Sequence, residues 1–82
     1  MNGHLQVRSL KTILQDGIAH QIVLEAFFTP SMRDAITCAM RYMDDGQGDE
    51  VRIENWQALT VCSRWLFQAT VDGGPKSWVR VK

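Results

Sequence analysis

The sequence predicts one α+β domain spanning residues 1–82: an antiparallel sheet with a single helix packed on one face, in the order β-β-α-β-β-β. Three observations predict it. Asp16-Gly17 divides two runs whose pairing separates apolar from polar side chains. Ser31 and Gly46 bracket apolar residues at helical spacing. The last third is rich in Thr, Val, Trp and Phe and is interrupted by the turn Asp72-Gly73-Gly74-Pro75.

The first element is a hairpin, because Asp-Gly readily supplies the positive φ angles of a two-residue turn. Closure there sets Leu5 opposite Phe28, Val7 opposite Ala26, Ser9 opposite Leu24 and Ile13 opposite His20, a largely apolar face. On the other face Gln6 meets Phe27, Arg8 meets Glu25 and Thr12 meets Gln21. A short helix capped by Ser9 and ended by Gly17 is the rival reading, and it accounts for fewer residues.

Thr29-Pro30 ends the hairpin, since proline cannot donate to a ladder. Ser31 with Asp34 three positions on forms a capping pair, and Met32, Ala35, Ile36, Ala39 and Met43 make an apolar stripe stopped at Gly46. That stripe is expected to lie on the apolar face of the hairpin, with Arg33, Thr37, Arg41 and Asp44 turned away and Cys38 off the stripe. Asp45-Gly46-Gln47-Gly48-Asp49 reads as a mobile loop.

From Glu50 to Asp72 glycine and proline are absent, and the apolar residues fit two periods. As strands, Leu59, Val61, Trp65, Phe67, Ala69 and Val71 alternate with Thr60, Cys62, Arg64, Gln68 and Thr70. As a helix capped by Asn55, the segment would leave Trp56 and Phe67 in solvent. The β-rich composition favours strands, with a bend near Ser63 dividing them. Residues 77–81 close the sheet, with Val79 and Val81 on one face and Trp78 and Arg80 on the other.

A core built from 82 residues is small, and domains of this size recruit disulfides, metals or a second copy. Cys38 and Cys62 form no C-x-x-C pair and have no neighbouring His, which gives neither a zinc nor a redox pattern; a single Cys38–Cys62 disulfide is open in principle, but without a secretory signal both are expected to be reduced thiols in a cytoplasmic protein. The start of the chain lacks the pattern of a secretory signal, and no apolar stretch is long enough for a membrane span. Self-association as a homodimer is the remaining staple. Net charge is zero, with acids prevailing over residues 1–50 and bases over residues 51–82.

No residue is expected to be catalytic, and no metal or cofactor is expected. Asp44, Asp45, Asp49 and Glu50 lack calcium-loop spacing. His20 and Cys38 have no activating neighbours in sequence, and neither Gly46-Gln47-Gly48 nor Gly73-Gly74 opens a helix as a phosphate loop would. The preferred expectation is a non-enzymatic interaction module, adaptor-like or inhibitor-like, with Trp56, Leu66, Trp78, Arg80 and Lys82 as its candidate surface and the final strand as a free sheet edge. Cations interleaved with rings at Arg64, Trp65, Lys76, Trp78, Arg80 and Lys82 support the alternative, a nucleic-acid-binding module.

Overall fold

The computed structural model describes residues 4–70 and 72–82, so Val71, assigned above to the apolar alternation, lies outside the described residues. The strands are β1 (Leu5–Gln15), β2 (Ile18–Thr29), β3 (Glu50–Asn55), β4 (Thr60–Ala69) and β5 (Lys76–Arg80), and helix α1 (Met32–Asp45) lies between β2 and β3. They form an antiparallel sheet in the order β2-β1-β3-β4-β5, so the α+β class and the order of elements are as the sequence predicts.

Asp16 and Gly17 adopt φ angles of 53° and 77°, the two positive values that a tight hairpin turn of this hand needs. Near the turn the expected register holds: Ile13 faces His20 and Thr12 faces Gln21. Beyond it the register must be corrected. The ladder shifts between Ser9 and Leu10, where β2 carries Leu24 as an extra residue, so Val7 faces Phe27, Arg8 faces Ala26 and Ser9 faces Glu25. Arg8 therefore finds its carboxylate on β3, at Glu54.

Helix α1 begins where Ser31 Oγ accepts from the Asp34 amide at 3.2 Å and ends at left-handed Gly46. It covers β1, β2 and β3, burying Ala35, Ala39 and Tyr42 against Leu5, Val7, Val51 and Ile53. The buried stripe is rotated from the expected one. Two alanines let the backbone approach the sheet closely, Tyr42 and Cys38 turn inward, and Met32 and Ile36 are left exposed.

The bend expected at Ser63 falls earlier, between β3 and β4. Asn55 Oδ1 accepts from the amides of Gln57 (2.9 Å) and Ala58 (3.0 Å), and Leu59 takes a left-handed φ of 54°. Asn55 thus caps a single turn where the helical reading had it cap a helix, and Ser63 lies inside β4 opposite Ile53. After α1, the glycine loop expected to be mobile is held at three points. Asp49 donates its amide to the Leu10 carbonyl (2.9 Å), accepts from the Phe67 amide at its own carbonyl (2.9 Å), and accepts from the Thr12 amide at Oδ2 (3.0 Å).

Only Leu5–Leu10 of β1 pairs with β3, so the rest of the hairpin runs past the sheet as a two-stranded arm. Leu14 at its tip is 78% exposed, and Ile18, Ile22 and Val23 are exposed with it.

Candidate functional site

The face of the sheet opposite α1 has no helix over it. Arg8, Arg52 and Arg64 lie side by side there on β1, β3 and β4, because Arg8 faces Arg52 and Arg52 faces Arg64 across the ladder. Like charges in register repel, so such a row needs anions within reach. Glu54 answers Arg8, accepting its Nε–H at 3.0 Å and pairing with its Nη2. Glu50, only 3% exposed, accepts from Arg64 Nε at 2.8 Å, from Gln21 Nε2 at 2.9 Å and from Arg52 Nε. Burial alone would raise the Glu50 carboxyl, but donors from Arg64, Arg52 and Gln21 outweigh it and bring the group from 4.5 to about 2. Gln21 is on the arm, so this network also anchors the arm to the sheet.

Beside the row, Trp56 is 54% exposed yet held in place. Its ring tilts against Phe28 with centroids 5.6 Å apart, its indole N–H donates to Gln6 Oε1 at 2.7 Å, and its amide donates to the His4 carbonyl at 2.7 Å. Leu59 next to it is 87% exposed and in the left-handed region, an apolar side chain presented to solvent on a strained backbone. Both residues line a hollow of about 250 Å³ with Gln6, Arg8 and Glu54.

On the helix side of β4 and β5, Trp78 stacks at a tilt on Phe67 (5.3 Å between centroids) and donates its indole N–H to the Met43 carbonyl at 3.1 Å. Arg80 lies over Trp65, its guanidinium carbon 5.5 Å from the ring centroid. It also donates to Ser63 Oγ and to the Lys82 carbonyl, each at 2.9 Å.

The five candidate residues therefore do not share one surface. Trp56 and the half-buried Leu66 belong to the open face, Leu66 opposite Glu50 and Val79. Trp78 and Arg80 belong to the helix side, and Lys82 is exposed at the end of the chain. Sequence reasoning missed the arginine row. Its signal is the alternation Glu50, Val51, Arg52, Ile53, Glu54, which puts three charged groups on one face of β3 and two β-branched residues on the other.

A second hollow, of about 390 Å³, lies between α1 and β2 and is lined by Glu25, Phe27, Asp34, Thr37, Cys38 and Arg41, among others. Burial, with the Cys38 thiol beside it, pushes the Tyr42 hydroxyl far above its ordinary range, so Tyr42 stays protonated. His20 is exposed on the arm and does not line this hollow. Cys38 and Cys62 are both free thiols. Among the described residues no helix is long and apolar enough to cross a membrane, and no three His, Cys, Asp or Glu side chains are grouped to hold a metal ion. Compared with protein-family models, curated proteins and solved structures, the chain matches none.

Proposed function

We propose that the chain is a non-enzymatic interaction module, adaptor-like or inhibitor-like, that binds a macromolecule and self-associates as a homodimer. The observation that carries this reading is the projecting arm, where Leu14, Ile18, Ile22 and Val23 stand in solvent on a ribbon that runs beyond the pairing with β3. A two-stranded ribbon is marginal by itself, and covering its apolar side chains with a partner stabilises both. The free thiols fit a reducing, cytoplasmic setting.

Absolute mass by light scattering, over a range of protein concentrations and at two salt concentrations, tests the self-association. The expected result is a dimer unchanged by salt, because apolar contacts are not screened. A monomer under every condition overturns it.

One observation favours the alternative, a nucleic-acid-binding module: three arginines set in a row beside Phe28 and Trp56 on an open sheet face. Each of the three is paired with Glu50 or Glu54, so a phosphate would have to compete with those carboxylates. Titration with a labelled single-stranded oligonucleotide decides the matter. Binding that collapses with added salt would replace the first reading with this one.

A further inference from the structure

The sheet has two outer strands, and they are guarded differently. β5 (Lys76–Arg80) is five residues long, follows Pro75 and carries Lys76 and Arg80, with Lys82 just beyond. Short length, proline and positive charge are the ordinary means of keeping an edge from pairing with another chain. β2 (Ile18–Thr29) has none of these three, and its bulge at Leu24 and the neighbouring α1 guard only its later half. It runs for twelve residues without proline, lysine or arginine, and Glu25 is its only acidic residue. Ile18, Ile22, Val23, Phe27 and Phe28 are exposed along it.

We propose that a second copy of this chain docks on β2, antiparallel and edge to edge about a two-fold axis, joining two five-stranded sheets into one. The proposal rests on the self-association reading and names its surface. A second copy suits this edge for three reasons. An outer strand turned by a two-fold normal to the sheet meets itself antiparallel, so its outward N–H groups face the outward carbonyls of its twin. The chain has zero formal net charge and this strand a single carboxylate, so little repulsion opposes two copies meeting. Finally, residues 18–23 at about 3.3 Å each offer roughly 20 Å of edge, along which Ile18, Ile22 and Val23 stand exposed.

The arm portion of β2, residues 18–23, is the natural centre of such a pairing. It precedes the bulge at Leu24, and β3 does not extend alongside it. Helix α1 instead overhangs the later half of the strand, where the hollow is lined by Glu25 and Phe27.

The test compares the full-length chain with Ile18→Lys, Ile22→Lys and, on the exposed flank of α1, Ile36→Lys. Mass is measured against concentration, circular dichroism checks each fold, and hydrogen exchange on the unaltered chain reports amide protection above and below its dissociation constant. The expected result is a dimer that Ile18→Lys and Ile22→Lys each weaken about tenfold or more, that Ile36→Lys leaves intact, and whose formation slows exchange in residues 18–23. A dimer unaffected by either β2 variant, with exchange in residues 18–23 independent of concentration, overturns the edge assignment and leaves self-association standing. A chain monomeric throughout overturns both.

Discussion

The indole N–H of Trp78 on β5 donates to the main-chain carbonyl of Met43 in the last turn of α1, at 3.1 Å. Helix carbonyls in that turn have no partner within the helix, so a side chain on an outer strand completes it. Trp78→Phe keeps a ring against Phe67 and deletes the donor. The expected loss is about 1–2 kcal/mol, read from the midpoint of urea denaturation.

Glu50 makes stability depend on acid pH. Its folded-state value of about 2 lies below the ordinary 4.5, so folding favours the ionised form. That contribution is complete above pH 4.5 and is lost as pH falls through about 2. Glu50→Gln should therefore cost on the order of 2–3 kcal/mol at neutral pH and should flatten this part of the acid limb. Urea melts of both proteins at a series of acid pH values check it, and parallel limbs would count against the account.

Gly48 is the tightest point in the connection between α1 and β3. A Cβ there would stand 2.5 Å from the Leu10 carbonyl oxygen and 2.9 Å from Ser9 Oγ. The carbonyl belongs to the β1 backbone and cannot swing aside. Gly48→Ala is expected to destabilise by about 2 kcal/mol or more, measured by thermal denaturation.

Leu59 predicts the opposite sign. Its left-handed backbone costs a side-chain-bearing residue energy, and so exposed a side chain recovers little of it by packing. Leu59→Gly should raise stability by about 0.5 kcal/mol, the relief of strain exceeding the greater freedom of glycine in the unfolded chain. If Leu59 is held there for binding, the same variant will be more stable yet bind its partner more weakly.

Where local chemistry decides the backbone, the fold was legible. Asp16-Gly17 turns because few other dipeptides reach that conformation, and the capping of Ser31 and the left-handed stop at Gly46 delimit α1 within a residue or so. The bulge was hidden because its extra residue, Leu24, closes an unbroken apolar run with Ile22 and Val23 and disturbs no pattern. The turn at 56–59 was hidden because it uses Leu59 where glycine is usual. Strand order is a matter of long-range pairing: the short, cationic β5 after Pro75 reads as an outer strand and is one, but nothing near β2 in sequence announces that it forms the other edge. The candidate surface failed to assemble for a related reason. Alternation alone puts Trp78 and Arg80 on one face, but their side relative to Trp56 depends on the register between β3 and β4, which includes a second irregularity at Ile53 and Glu54.

The place of β1 has a consequence for how the chain is made. Its strand neighbours are β2, joined to it by a tight turn, and β3, which is synthesised only after the whole helix. On the ribosome the hairpin can therefore close early while the inner edge of β1 waits, and the pairing of Leu10 with Glu50 must close a long loop before the core has a floor. Contacts so distant in sequence form slowly. During that interval both edges of a nascent hairpin are open, and neighbouring chains on one messenger present each other with the same unpaired strands.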